Sequence, residues 1–224
     1  MELELAHAGR EVLLVIMGAL LPIVNPLGNA PIFLAITSWA STDVRCILAR
    51  RVAVNAFALL IISIFVGSHI LAIFGISLPI VQVGGGLLVA ASGWRLLDVD
   101  TEASVPIEKT SWTSDQVIER AFFPLTFPLT VGPGSVSVAI ALGANTVHRQ
   151  MPLGVLIGVV LIATALIALS IYYSYRFAGT MPRVIGENGT KIFLRLSVFI
   201  LLCIGIQIIW NGISALITSL PHVP

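Results

Sequence analysis

Six apolar runs, each long enough to cross a lipid bilayer, constrain the fold of this chain more than any other feature. A bilayer core about 30 Å thick needs roughly 20 apolar residues per helix. By this criterion the predicted spans cover approximately residues 12–38, 45–71, 77–97, 120–146, 152–175 and 190–219. Hydrophobic residues make up 57% of the chain and charged residues 10%, whereas about a quarter are charged in an average soluble domain. The sequence therefore predicts an all-α integral membrane protein with six transmembrane helices.

Charge and cysteine content exclude several classes of protein. The net charge is +1 and no basic cluster occurs, so nothing indicates a nucleic-acid partner. Cys46 lies at a predicted span end and Cys203 in mid-span, which excludes a CxxC motif and argues against a structural disulfide. The glycine triplet at 84–86 lies in an apolar span without a following Lys, Ser or Thr, so it predicts close helix packing rather than a nucleotide-binding loop. We expect no metal, no cofactor and no catalytic residue.

A polar stretch near the middle of the chain, residues 98–119, separates two groups of three predicted spans. It carries both signs of charge, and we expect it to be a cytoplasmic connector between residues 1–97 and residues 120–224. Because three is an odd number of crossings, the second group enters the bilayer from the opposite side, and the two groups form an inverted repeat. The short FGISLP turn between spans two and three, where Ser77 can cap and Pro79 lies in the next first turn, predicts a tight helical hairpin.

Lysine and arginine are distributed unequally between the two sides of the predicted bundle. The N-terminus and the loops after spans two, four and six contain only Arg10 and Arg149, and the opposite side contains the other ten of the 12. Positively charged loops face the cytoplasm in most membrane proteins. We therefore expect both termini on the extracellular or periplasmic side.

Proline interrupts the first and fourth predicted spans at matching positions. The stretch LPIVNPLGNAP contains Pro22, Pro26 and Pro31, and FPLTFPLTVGP at 123–133 contains three prolines, each 102 positions later. A proline inside a helix removes a donor N–H, clashes with the preceding turn and costs about 3 kcal/mol or more. Discontinuous helices at membrane depth face protein or a water-filled cavity, and in transporters they commonly meet at the substrate site. We therefore predict that helices 1 and 4 are discontinuous and form a binding site, the alternative being two simple kinks.

The residues around both interruptions resemble a known family pattern. NPLGNAPIFLAIT (25–37) and PLTVGPGSVS (128–137) are similar to the NPxGN-P break of span one and the P-x-x-x-G-P-G break of span four in the MarC family of six-span bacterial inner-membrane proteins. The resemblance covers essentially the whole chain. It implies a fold related to the amino-acid exporter superfamily that includes lysine exporters, a bacterial inner-membrane location and, as for some members, transport of small neutral amino acids such as alanine and glycine.

The predicted site contains neutral groups, because no Asp, Glu, Lys or Arg lies at mid-membrane depth between the span ends. Such groups suit a zwitterion, since half-helix N-termini supply N–H donors for a carboxylate and unwound carbonyls accept from an ammonium group. The expected substrate-binding residues all lie in or beside the two interruptions: Asn25, Pro26, Gly28, Asn29, Thr126, Pro128, Thr130, Gly132, Pro133, Gly134 and Ser135. We expect the glycines among them to allow close backbone approach or a positive φ.

These features together predict a secondary transporter of a small neutral amino acid, with import and export both open, that works by alternating access around a site between the two broken helices. A passive channel or a lipid-handling protein is the first alternative, because the missing intramembrane charge permits it equally well. A membrane-embedded enzyme is the least favoured alternative, because all four histidines are peripheral. The predicted partners are the small-molecule substrate and the lipid bilayer, and a homo-oligomer is allowed.

Overall fold

A computed structural model describes residues 2–98, 121–146 and 152–219, and this part of the chain is helical without any strand. Its seven α-helices are α1 (Glu2–Val24), α2 (Pro26–Ile36), α3 (Thr42–Ile73), α4 (Leu78–Asp98), α5 (Pro133–Thr146), α6 (Leu153–Arg176) and α7 (Met181–Thr218). We call the stretch Ala121–Thr130, which precedes α5, the proline segment. A 3-10 turn, Ala178–Thr180, joins α6 to α7. Apart from Asp98, the predicted connector lies outside the described residues.

Local sequence signals set the ends of α3, the longest uninterrupted apolar helix. The backbone N–H of Val44 donates to the Ser41 hydroxyl at 3.3 Å, so a serine caps the first turn. Gly75, with φ 66°, follows the last turn in a left-handed conformation that favours glycine. A second glycine with positive φ, Gly186 (φ 75°), interrupts α7 near its start.

Four stretches of the described chain are long and apolar enough to cross a membrane: Ala6–Ile36, Thr42–Ile73, Leu153–Arg176 and Asn188–Thr218. A fifth results if the proline segment and residues Pro133–Ala144, which meet at 69°, are one bent span. Helix α4 occupies the third predicted span but is not among these candidates. The all-α prediction is confirmed, and four or five of the six predicted spans are found in the described part of the chain.

The helices of residues 2–98 pack chiefly on those of residues 121–219 rather than on one another. Helix α4 packs on α7 and α5, α3 packs on α6, α5 and the proline segment, and α1 and α2 pack on α6. The expected α3–α4 hairpin is therefore a short connection and not a main packing contact. Because each helix has its principal partners in the other half, the core is built between the halves, with residues such as Leu20, Leu60 and Ile167 fully buried.

Glycines bring α4 within backbone contact of its neighbours. A Cβ added to Gly86 would lie 2.8 Å from the carbonyl oxygen of Gly205, and one added to Gly205 would lie 2.5 Å from the backbone nitrogen of Ala90. Gly85 faces Ser137 of α5, where an added Cβ would lie 2.2 Å from the hydroxyl, whereas Gly84 faces open space. The prediction of close helix packing at this triplet is confirmed for its second and third glycines.

Candidate functional site

The first interruption is a single residue, Asn25, between α1 and α2. Its φ of 44° and ψ of 60° are left-handed, a conformation that asparagine tolerates better than most side chains. The following Pro26 disfavours the right-handed helical conformation for Asn25. Pro22 and Pro31 lie inside helices. The interruption is therefore narrower than the unwinding from 22 to 31 that three prolines suggest, because only the residue before Pro26 leaves the helical conformation.

At this interruption, side chains take the place of the backbone hydrogen-bond partners that a continuous helix would supply. The N–H of Gly28 donates to the Asn25 side-chain oxygen at 3.2 Å instead of to a carbonyl four residues earlier. The Asn29 amide nitrogen donates to the carbonyl of Val24 at 2.9 Å, the acceptor that Gly28 leaves free. A Cβ on Gly28 would lie 2.7 Å from the Asn25 oxygen, so glycine is required for this cap. Positive φ therefore belongs to Asn25, and Gly28 supplies close approach.

The second interruption extends over the proline segment, in which the sequence Phe-Pro-Leu-Thr occurs twice. Phe123 (φ −120°, ψ 123°) and Phe127 (φ −115°, ψ 125°) are extended, as expected for residues that precede proline. The peptide bonds from these phenylalanines to Pro124 and Pro128 are cis. The proline segment then meets α5 at 69°. This interruption is a true bend, in contrast to the first.

Two threonines at equivalent positions of the repeat hold the proline segment together. The Thr126 hydroxyl donates to the carbonyl of Ala121 at 2.7 Å, and the Thr130 hydroxyl donates to the carbonyl of Leu125 at 2.6 Å. Both threonine side chains are buried, Thr126 completely. Their hydroxyls therefore donate hydrogen bonds to backbone carbonyls in a segment that the prolines leave without regular helical hydrogen bonds.

The two interruptions contact each other directly through Asn29. Its amide nitrogen lies 3.3 Å from the carbonyl oxygen of Leu129, to which it donates across the boundary between the two halves. In a regular helix this carbonyl would accept from the residue four positions later, which here is Pro133 and has no N–H. One buried side chain thus satisfies an acceptor in each interrupted region.

A second buried contact fixes the proline segment against α6 and α2. The hydroxyl groups of Thr130 and Tyr175 lie 2.7 Å apart. The Tyr175 ring stacks on Phe33, with centroids 4.3 Å apart and an interplanar angle of 13°. Both aromatic side chains are fully buried. Three elements that are distant in sequence are therefore locked together beside the interruptions.

A cavity of about 370 Å³ lies where the two interruptions meet α4 and α7. This volume is near the lower end of the range for small-molecule sites in proteins. Its walls are mostly apolar and contain a few polar side chains from different elements. The lining residues are Ile23, Asn29, Ile36, Leu88, Val89, Ser92, Arg95, Pro124, Pro128, Leu129, Thr130, Gly132, Pro133, Gly134, Ser135 and Leu201.

The lining of the cavity includes two electropositive features, the first turn of α5 and Arg95. Pro133 begins α5, and the N–H groups of Gly134 and Ser135 have no partner inside the helix, whereas that of Val136 donates to the carbonyl of Gly132. Ser135 is 2% exposed, and its hydroxyl has no hydrogen-bond partner in the described part of the chain. The Arg95 guanidinium likewise has no partner among the described residues. A helix N-terminus and an unpaired cation suit a carboxylate or another small anion.

The structure brings together seven of the eleven predicted site residues. Those that line the cavity are Asn29, Pro128, Thr130, Gly132, Pro133, Gly134 and Ser135. The remaining four, Asn25, Pro26, Gly28 and Thr126, do not line it, because they form the first interruption or hold the proline segment.

Sequence analysis missed Arg95 and Ser92, which α4 contributes to the cavity. Arg95 was assigned to the cytoplasmic side because it lies near the end of the third predicted span. Its spacing offered a signal, since residues three apart on a helix share a face and Ser92 lies within the apolar span. The site therefore contains a fixed positive charge, contrary to the expectation of neutral groups only.

No group of three or more His, Cys, Asp or Glu side chains that could hold a metal ion occurs within residues 2–98, 121–146 and 152–219. The two cysteines are free, with Cys46 half-buried and Cys203 exposed. The lining of the cavity offers hydrogen bonding and charge, from side chains and from the interrupted backbone.

Comparison with known proteins identifies similar chains. The family model described as "MarC family integral membrane protein" matches residues 11–217. The chain is 32% identical over 206 residues to the inner membrane protein MarC of Escherichia coli O1:K1, covering 89% of this chain and 93% of that protein. It is also 32% identical over 208 residues to the inner membrane protein MarC of Citrobacter koseri, with the same coverage of 89% and 93%. No solved structure matches.

Proposed function

The chain belongs to the MarC family of integral membrane proteins, and from this premise we propose that it is a secondary transporter of a small neutral amino acid such as alanine or glycine. The transport site is the cavity between the two interrupted helices, and the protein has no enzymatic activity. It is a multi-pass protein of the inner membrane, as its similarity to inner membrane proteins supports.

The observation that carries this proposal is the composition of the cavity. It receives residues from both interrupted regions, from α4 and from α7, and it holds about 370 Å³. A cavity of this size accommodates a small solute, and apolar walls with a few convergent polar groups are typical of ligand sites. Non-helical backbone at membrane depth needs such a setting, because lipid cannot satisfy its polar groups.

We assign the two charged groups of a zwitterion to opposite parts of the cavity. The carboxylate binds the N–H groups at the start of α5, the Ser135 hydroxyl and the Arg95 guanidinium. The ammonium group donates to carbonyl oxygens of the proline segment, including that of Leu129, which has a lone pair beyond the one that Asn29 occupies. The limited volume excludes amino acids with large side chains.

The packing pattern supports an inverted repeat of three helices per half and alternating access between the halves. In this repeat, the pair α1–α2 corresponds to the proline segment with α5, helix α3 corresponds to α6, and α4 corresponds to α7. Each principal contact between the halves then has an equivalent contact in which the two halves are exchanged. The contact of α3 with α5 matches that of α1 with α6, and the contact of α4 with α5 matches that of α2 with α7. Contacts exchanged in this way are expected from a two-fold relation between halves, around which transporters alternate access.

The proposal is tested by counterflow of labelled alanine into proteoliposomes that contain the purified protein and unlabelled alanine. A carrier transiently accumulates label above the external concentration, whereas a channel only equilibrates it. We expect accumulation with alanine and glycine and none with phenylalanine. Equilibration without overshoot for every amino acid tested would contradict the transporter and favour a channel.

The residue test of the site uses Arg95→Gln with Arg195→Gln as a control for loss of one positive charge elsewhere. Hydrogen bonds to a charged group contribute about 1.5–3 kcal/mol, so Arg95→Gln should raise the apparent KM for alanine at least tenfold. Arg195 is exposed on α7 and does not line the cavity, so its substitution should leave KM within twofold. Equal KM values for the two variants would exclude Arg95 from the substrate site.

We also propose that both termini face the periplasm, on the basis of the ten-to-two distribution of Lys and Arg. A reporter that is active only in the cytoplasm, fused after Pro224, should be silent, and one that is active only in the periplasm should give signal. The reverse pair of results would overturn this topology without affecting the cavity.

A further inference from the structure

A second, membrane-facing groove of about 580 Å³ lies between α3 and α6, apart from the cavity described above. Each helix contributes one face to it, with lining residues spaced by three and four positions. The lining residues are Arg50, Ala53, Val54 and Phe57 from α3, and Ala165, Ala168, Leu169 and Tyr172 from α6. On each helix the first and last lining residues are seven positions apart, which corresponds to about 10 Å along the helix axis.

The middle of the groove is apolar and faces the lipid. Three alanines line it and leave space between the larger side chains of Val54, Phe57 and Leu169. Val54 and Leu169 are 59% and 50% exposed, and both helices belong to stretches apolar enough to cross a membrane. Hydrocarbon is the solvent at such a surface, so a chain of methylene groups fits this part of the groove better than a polar solute.

One end of the groove is positively charged. Arg50 lines it, and its guanidinium has no hydrogen-bond or ion-pair partner in the described chain. Arg176 donates a hydrogen bond to the Tyr172 hydroxyl, and its guanidinium carbon lies 5.7 Å from the centre of that ring. The sulfur of Cys46 lies 3.8 Å from the same hydroxyl, which places the start of α3 beside the end of α6.

Few acids balance this charge. Asp43, in the first turn, is the sole acidic residue of α3, and α6 contains none, whereas α3 carries three arginines and α6 ends with one. The Tyr172 hydroxyl accepts from Arg176, and when the Cys46 thiol is the donor in their contact, the hydroxyl can still donate its own hydrogen. An unpaired guanidinium and a hydroxyl donor at the end of an apolar channel complement a phosphate attached to an acyl chain.

We propose that this groove binds one anionic phospholipid, with the phosphate on Arg50 and Tyr172 and an acyl chain along the three alanines. The ligand is a lipid and not a soluble phosphate, because the apolar part of the groove opens to hydrocarbon. Basic pockets between transmembrane helices bind anionic headgroups in this manner. The site does not depend on the proposed transport function, since it shares no lining residue with the cavity.

The test is native mass spectrometry of the purified protein in a neutral detergent, titrated with phosphatidylglycerol or with phosphatidylcholine of the same acyl chains. We expect phosphatidylglycerol to bind at one molecule per protein about fivefold more tightly than phosphatidylcholine, which is equivalent to about 1 kcal/mol for one basic residue. Arg50→Gln should remove this preference, and Arg195→Gln, with the same change of charge on α7, should retain it.

Steric variants examine the apolar part of the groove. Ala168→Phe should weaken binding of both lipids while Arg50 remains in place, and Ala165→Leu serves if the first variant has a lowered melting temperature. Soluble glycerol phosphate should not compete with the lipid. The proposal is overturned if the two lipids bind with equal affinity or if the two arginine variants lose equal affinity. It is also overturned if the alanine variants bind lipid unchanged, or if glycerol phosphate displaces the lipid.

Discussion

The two interrupted regions share their proline spacing and differ in shape. In the first, the break is confined to Asn25, and Ala6–Ile36 remains a continuous candidate span. In the second, Phe123 and Phe127 are both extended, and the segment meets the next helix at 69°. Three prolines at the same offsets therefore produce a local change of conformation in one half and a bend in the other.

The residues that precede Pro26, Pro124 and Pro128 explain this difference. Proline disfavours the right-handed helical conformation for its predecessor. The predecessor leaves that conformation at Pro26, Pro124 and Pro128, whereas Pro22 and Pro31 lie inside helices. Asparagine tolerates the left-handed region, which keeps the chain turning. Phenylalanine does not, and it becomes extended, which redirects the chain. The proline clusters thus indicate the regions in which a membrane helix is interrupted, and the residue before the interrupting proline determines the shape of the interruption.

The largest effect is expected from Asn29→Leu, which removes the contact between the two regions. The substitution leaves the carbonyls of Val24 and Leu129 without their donor, and unpaired buried acceptors cost about 1–3 kcal/mol each. We expect a loss of about 4 kcal/mol in the free energy of unfolding, measured by denaturant titration in detergent micelles. Transport should also be lost, because Asn29 lines the cavity.

The control for this variant is Asn211→Leu. Asn211 accepts a hydrogen bond from Gln207 at 2.9 Å on an exposed face of α7. Loss of one side-chain hydrogen bond in a membrane protein lowers the free energy of unfolding by about 0.6 kcal/mol. Similar losses for the two asparagine variants would show that the contact between the interruptions has no special importance.

The comparison is sharpened by Asn25→Ala and Asn25→Gly. Alanine loses the cap on Gly28, at about 1 kcal/mol, and adds the cost of a left-handed residue, about 1–2 kcal/mol. Glycine loses only the cap. We therefore expect losses of about 3 and about 1 kcal/mol by the same titration. If alanine is tolerated as well as glycine, the conformation of Asn25 is not what shapes the first interruption.

A smaller difference is expected between Thr130→Val and Thr126→Val in the proline segment. Both lose one hydrogen bond to a backbone carbonyl, but Thr130 also contacts the hydroxyl of buried Tyr175. Valine keeps the shape of the side chain and removes the hydroxyl. We expect losses of about 2 kcal/mol for Thr130 and about 1 kcal/mol for Thr126. Adding Tyr175→Phe should cost almost nothing further in Thr130→Val if the contact is the reason.

The sequence predicted the helical class and the position of both interruptions, because apolar length and proline chemistry act locally. It did not predict which helices pack together. The short turn after α3 suggests a hairpin with α4, but glycine contacts such as Gly86 with Gly205 pair α4 with α7 instead. Such partners depend on the fit of surfaces distant in sequence, which no local pattern encodes.

The candidate site was predictable where it consists of the interruptions and not where other helices complete it. Asn29 and Ser135 were identified because they flank prolines and glycines. Arg95 was assigned to the cytoplasmic membrane surface, because its charge and its position near the end of the third predicted span fit that location. Thr126 was assigned to the site, yet its hydroxyl bonds the carbonyl of Ala121, a choice that depends on the backbone conformation.

Packing between the halves has a consequence for how the protein is made. When α4 leaves the ribosome, none of its principal partners has been synthesised, since α5 and α7 come later in the chain. At about 5–20 residues per second, the last helix follows roughly 6–24 s afterwards. Throughout that interval the face of α4 that contains Gly86, whose partner is Gly205 of α7, meets only lipid or the insertion machinery. Mutations that slow synthesis of the second half should therefore expose the first half to degradation, even though they change nothing in the finished fold.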